Sequence, residues 1–245
     1  MQATHHSFDL RQVAVLLRGE QEPVNAWIAG WDTRRALLCM GVIFVGAGLF
    51  GAAVGLWHDP LQSLFSAVKF PAVILFTTLG NALLNAMLAP LLGVNMNLRQ
   101  SLAAVLMSFT IAAAILGGFS PLLAFVVWNT PSIHSERGIS LLAYQFMQLA
   151  IVGGIVFAGV MANLRLLPSL ESRAASSQAA MRVMLAWLAG NLLLGSQICW
   201  VLRPFIGLPN VPAMFLLPEP FHGSFYEEVF EALRSLRMGQ TSIRT

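Results

Sequence analysis

Beyond Lys69 the chain carries no charge for more than twenty residues, through KFPAVILFTTLGNALLNAMLAPLLG to Gly93. At about 1.5 Å per residue, such a run crosses a bilayer core of about 30 Å. Asn81 and Asn85 are four apart and so share one helical face. An amide facing lipid would stay unpaired, so this face is expected to turn toward another helix or a polar cavity. The two amides then act as interhelical glue or as contacts to a solute, and glue is the simpler reading. Pro71 and Pro90 bracket the run near its two ends, where a helix tolerates proline best.

Four more apolar runs are long enough to span: Ala36–Trp57, Leu102–Trp128, Ile139–Asn163 and Val183–Leu202. Hydrophobic residues make up 57% of the chain and charged residues 10%, against about 25% charged in soluble proteins. The expected fold is therefore all-α: an integral membrane protein of about five transmembrane helices. Residues 1–35 form a cytoplasmic N-terminal segment, 36–202 the five-helix domain and 203–245 an extramembrane C-terminal segment. About 35 largely polar residues precede the first span, which is too long for a signal-peptide core, so no cleaved signal is expected.

The terminal segments carry amphipathic patterns. In SFDLRQVAVLLR, residues Phe8, Leu10, Val13, Ala14 and Leu17 recur at helical spacing, predicting a helix that lies on the membrane or docks on the protein's own membrane face. Trp27 and Trp31 suit the headgroup layer. After Arg203 the run RPFIGLPNVPAMFLLPEPFHG is too rich in proline for a helix, yet strongly apolar. Chains of that composition gain by burial, so 203–221 is expected to dock as an ordered, extended segment. Phe205, Phe215 and Phe221 are its candidate partner-interface residues. Ser224 and Glu227 then match a capping box, and Phe225, Val229, Leu233 and Leu236 share one helical face.

In the first span, Gly41, Gly48 and Gly55 are seven apart, and Gly51 with Gly55 makes a GxxxG. Gly48, Gly51 and Gly55 thus offer a smooth face for close packing, within the chain or between copies. The other polar groups at depth are neutral, notably Gln145 and Gln148 on neighbouring positions of the fourth span. No ionisable residue is expected at membrane depth, with Lys69 placed at the outer boundary, which argues against an ion-coupled pump.

Metal, cofactor and catalytic motifs are absent from the sequence. Cys39 and Cys199 sit in apolar runs without metal-ligand spacing, and no phosphate loop, HExxH or GxSxG occurs. His58 and Asp59 are adjacent, so on a helix they would not face each other, and no nucleophile accompanies them. Cation runs do not exceed Arg34–Arg35, which excludes a nucleic-acid stripe. Cations near the spans set the orientation. With the N-terminus inside, eight (Arg11, Arg18, Arg34, Arg35, Arg99, Arg165, Arg173, Arg182) face the cytoplasm and three (Lys69, Arg137, Arg203) lie outside.

The run KFPAVILFTTLGNALLNAMLAPLLGVNMNLRQSLA, with CWVLRPFIGLPNVPAMF and GSFYEEVFEAL, resembles a family of bacterial inner-membrane proteins that carries no established chemistry. The five-span layout with a polar N-terminus is more distantly similar to Yip-type proteins, whose eukaryotic members interact with small GTPases. Their Asp-Leu-Tyr-Gly-Pro motif is missing, because Asp9-Leu10 is followed by Arg11-Gln12. The resemblance implies a five-helix scaffold in the inner membrane, not an activity.

The expected function is a non-enzymatic membrane scaffold or accessory subunit. Its partners are membrane lipids and another membrane protein or a second copy; no nucleic acid and no cofactor are expected. The alternative is a transporter or channel for a neutral or lipidic solute, using Asn81, Asn85, Gln145 and Gln148.

Overall fold

The computed structural model describes residues 17–18, 32–94, 97–130, 141–207, 211–227, 230 and 234. Five helices are long and apolar enough to cross a membrane: α1 (Thr33–Gly55), α2 (Pro60–Leu91), α3 (Leu98–Asn129), α4 (Leu141–Glu171) and α5 (Ser177–Val201). Among the described residues there is no strand, and the protein is an all-helical, multi-pass membrane protein. The N-terminal amphipathic segment lies outside the described residues except for Leu17 and Arg18, and Leu17 packs on the core. Of the C-terminal amphipathic segment, residues 225–227, 230 and 234 are helical.

The starts of α1, α2, α3 and α5 are each closed by a side chain that takes up an orphan backbone N–H. Asp32 accepts the Arg35 amide at 2.8 Å, and Ser176 accepts that of Ala179 at 3.2 Å. Asn97 and Gln100 form a reciprocal capping box. Asp59 accepts the Gln62 amide at 2.8 Å, with Pro60 as the first residue of α2. At the far end of α2, Gly93 takes a positive φ of 87°, and Val94 donates back to Ala89.

The bonded Asp59 carboxylate is held below its ordinary pKa of 3.8, first by the Gln62 amide. A depressed folded pKa contributes stability that is present above the unfolded value and lost as acid titrates the group. Asp59→Ala should therefore cost about 1 kcal/mol at neutral pH, and the gap from wild type should close below about pH 4. Thermal unfolding of both proteins at pH 7 and pH 3 checks this, and an equal gap at both would contradict it.

Several helices run further than the apolar runs suggest. The lead-in Leu61–Lys69 and the following span are one helix of 32 residues, with Pro71 in its interior and not at its start. Arg165, Pro168 and Glu171 belong to α4, and Arg182 to α5, instead of a connector. Pro121 likewise sits inside a continuous α3. Apolar counting finds only the part of a helix that faces lipid, and polar ends of the same helix are invisible to it.

The bundle is built around α1, which packs against α2 and α3; α4 lies on α3, and α5 on α2. Close approach is set by glycine. A Cβ on Gly51 would collide with the Ser66 carbonyl, and one on Gly55 would lie 2.5 Å from the Gln62 carbonyl. On the other side, a Cβ on Gly117 would lie 2.8 Å from Gly46 Cα, holding α3 against α1. Gly48, Gly51 and Gly55 thus serve an intramolecular contact with α2, while Gly41 has nothing within 4 Å of its Cβ position and lies off this face.

The pairs Gly51–Ser66 and Gly55–Gln62 fix an antiparallel register that sets Lys69 level with Gly48, near the middle of α1's apolar stretch. Outward faces carry Leu83 and Met87 on α2, Val156 and Val160 on α4 and Leu192 on α5, all exposed. That is the distribution lipid requires.

Candidate functional site

Helix α5 ends early. Thr77 lies against Gly195 and Asn81 against Asn191, so by register Val201 comes level with about Pro71. Roughly the first ten residues of α2, packed on α1 on one side, would then lack a neighbour on the side that α5 covers further along. The extended segment after Leu202 takes their side. Among the described residues from Pro204 to Pro218 its backbone makes no hydrogen bond to itself, and at membrane depth each carbonyl must find a donor.

Helix α2 supplies the donors from one face. Lys69 Nζ donates to the Pro204 carbonyl at 2.7 Å, and Gln62 Nε2 donates to the same oxygen at 2.9 Å. Ser66 Oγ donates to the Phe205 carbonyl, and His58 Nε2 bonds the Val211 carbonyl at 3.1 Å. Gln62, Ser66 and Lys69 follow one another at steps of four and three, the spacing of a single helical face, and His58 stands just before the helix begins. The segment therefore runs up α2 toward its N-terminus. Proline suits it, because Pro204 has no N–H that would need an acceptor in return.

Lys69 is fully buried, inside α2 and at the depth of Gly48. The expectation of spans free of ionisable groups is corrected here, as is the placement of Lys69 at the outer boundary. Its ammonium stands 5.1 Å from the Phe215 ring centre and 5.8 Å from that of Phe205, a cation–π environment. No carboxylate pairs with it among the described residues. A charged group opening an apolar run reads as a boundary, and the carbonyl that holds it lies 135 positions away.

The aromatic residues of the segment divide into two groups. Phe205 is half-buried and meets Phe70 edge-on at 5.1 Å, which in turn meets Phe50 of α1 at 5.5 Å. Phe215 packs on Phe65 at 5.5 Å but is 41% exposed, and Phe221 is 82% exposed. Docking is thus carried by the backbone and by Phe205, and the expected burial of Phe221 is not found. The chain then folds back along α5: Trp200 Nε1 donates to the His222 carbonyl at 3.3 Å, and the Tyr226 hydroxyl to that of Leu193 at 2.7 Å. The Arg203 guanidinium stacks 3.5 Å above the Trp200 ring.

Against the adjacency argument, His58 and Asp59 do meet, at 3.1 Å. They can, because His58 precedes the helix that Asp59 caps. With its second nitrogen on Val211, the imidazole is a strut between the cap and the docked segment.

Asn81 and Asn85 are both fully buried between α2 and α5. Asn81 Nδ2 donates to Asn191 Oδ1 at 2.5 Å and to the Trp187 carbonyl at 3.3 Å, the interhelical bond expected of it. Asn85 makes no hydrogen bond to the protein among the described residues. Gln148 is exposed on α4 and does not join them; with Leu149, Ile151, Val152 and Ile206 it lines an open cleft of about 550 Å³ between α4 and the docked segment. Gln145 lies in α4, but its side chain falls outside the described residues. Cys39 and Cys199 are free thiols, and among the described residues no cluster could hold a metal.

No protein-family model, curated protein or solved structure matches the chain. Function is therefore argued from the geometry.

Proposed function

We propose that the protein is a non-enzymatic scaffold or accessory subunit of the bacterial inner membrane, which presents its docked C-terminal segment to a partner. The supporting observation is that this segment is fastened at its start through its carbonyls and Phe205, while its aromatic side chains from Phe215 onward are exposed. Phe221 and Phe230 are 82% and 67% exposed, with Phe215, Phe225 and Tyr226 beside them. A backbone held by Gln62, Ser66 and Lys69 leaves those rings free for apolar contact. The cleft at Ile206 and Leu149 adds an apolar opening between the start of the segment and α4. Because α2 already occupies the Gly48/Gly51/Gly55 face, the partner surface moves to the tail. Such a surface suits the apolar face of another membrane protein or a second copy, with lipid of the headgroup layer at its rim.

In mild detergent the wild-type protein should carry stoichiometric protein, a second copy or lipid, read as excess mass. A double change, Phe221→Ser with Phe230→Ser, should remove it without shifting the unfolding temperature. A wild-type protein that is monomeric and free of bound lipid would overturn the proposal. The reading also places the N-terminus inside and the tail outside. A reporter active only in the cytoplasm should work when fused before Met1 and fail after Thr245; activity at both ends would contradict an odd number of spans.

A further inference from the structure

The interface between α2 and α5 contains more polar atoms than it pairs. Thr77 Oγ1, Asn81 Oδ1, both amide atoms of Asn85 and the indole Nε1 of Trp187 are buried without a hydrogen-bond partner among the described residues. The side chains are themselves shielded: Asn81 and Asn85 are 0% exposed, and Thr77 and Trp187 are 2%.

They fall on one line. Thr77, Asn81 and Asn85 are spaced by four and share a face of α2. Thr77 Oγ1 lies 3.6 Å from the Cβ position of Gly195, Asn81 bonds Asn191, and Gly93 is level with Ala179. Continuing that antiparallel register by one turn sets Asn85 opposite Trp187. The helix facing them is also cut back for this purpose: a Cβ on Gly190 would lie 2.5 Å from Asn81 Oδ1, so only glycine leaves room for the amide.

An unpaired buried polar group destabilises a fold, and in lipid no outside water relieves it. Five such atoms on one seam point to an occupant. The set holds donors (Asn85 Nδ2, Trp187 Nε1), acceptors (Asn81 Oδ1, Asn85 Oδ1) and a hydroxyl that is both. It holds no charge. We propose that the α2–α5 seam binds small neutral hydroxylic molecules, waters or a short polyol, along the row from Thr77 and Asn81 to Asn85 and Trp187, about two helical turns long. A hydroxyl group both donates and accepts, which is what this mixture requires; an ion would be left without a counter-charge.

The variant Asn85→Leu tests this, because it keeps the side chain's size and removes both amide atoms. If the seam is dry, the variant relieves an unpaired amide and unfolds at the same or a higher temperature than wild type, which would overturn the proposal. If the seam is occupied, the variant loses the occupant's bonds and should unfold about 2–4 °C lower. Repeating the comparison across a glycerol series identifies the occupant: a gap that widens with glycerol marks a polyol, and a constant gap marks water. Should Asn85→Leu fail to fold, Thr77→Val decides by the same sign, since it removes only the hydroxyl.

Discussion

Leucine at Gly51 or at Gly55 should prevent α1 and α2 from closing, whereas leucine at Gly41 should be tolerated. At Gly51 the new Cβ meets the Ser66 carbonyl and stands 2.8 Å from the Phe70 ring; at Gly55 it stands 2.6 Å from Ser63 Cα. These obstacles are mostly backbone, so no rotamer change clears them. Overpacking alone costs about 1–3 kcal/mol. Separating the helices also breaks the Ser63 hydroxyl's 2.8 Å bond to the Ala52 carbonyl and lifts Phe50 from Phe70. The sum should exceed about 3 kcal/mol for either change, read as a collapse of the folded, monodisperse fraction in detergent. Gly41 has open space around it and serves as the control. If Gly51→Leu folded normally and altered only the oligomeric state, the face would be an interface between copies and the packing described above would be wrong.

Lys69→Glu is expected to release the C-terminal segment. Glutamate would set a carboxylate against the Pro204 carbonyl, which now accepts the ammonium at 2.7 Å, and beside the negative faces of Phe205 and Phe215. An uncompensated buried charge costs about 3–5 kcal/mol, more than the remaining bonds from Gln62 and Ser66 return at about 1 kcal/mol each. Protease cleavage between Phe205 and Gly207 should change from slow to fast, with the five helices still resistant. Lys69→Met keeps the length and removes the charge, and should leave the segment in place because Gln62 still serves the Pro204 carbonyl. Equal behaviour of the two variants would show that the charge at Lys69 does not decide docking.

The legible part of this fold is what lipid imposes. Five spans follow from five apolar runs, because each backbone must satisfy itself within one helix. The docking of a proline-rich yet apolar tail follows from the same balance of burial against order. The hidden part is long-range. Lys69 reads as the end of a span because the stretch before it, Leu61–Val68, is amphipathic and the unbroken apolar run begins after it, and nothing local shows that Pro204 will cover it. The row Gln62, Ser66 and Lys69 is visible as a helical period in the stretch before the second span, but its acceptors are main-chain oxygens, which leave no mark on sequence. Asn81 and Asn85 look equivalent by spacing, yet among the described residues one is paired and the other is not, since only Asn81 meets a second asparagine on α5.

Fastening of the tail to α2 of its own chain is tested most directly by a cysteine pair. Phe65 and Phe215 face each other edge-on, with ring centres 5.5 Å apart. In a protein whose native Cys39 and Cys199 are both replaced by alanine, Phe65→Cys with Phe215→Cys should be joined by a short bifunctional thiol reagent in native membranes. The product should run as a single cross-linked chain. A product of twice that mass, or none while each cysteine still reacts singly, would mean that the tail does not lie on α2 of the same molecule.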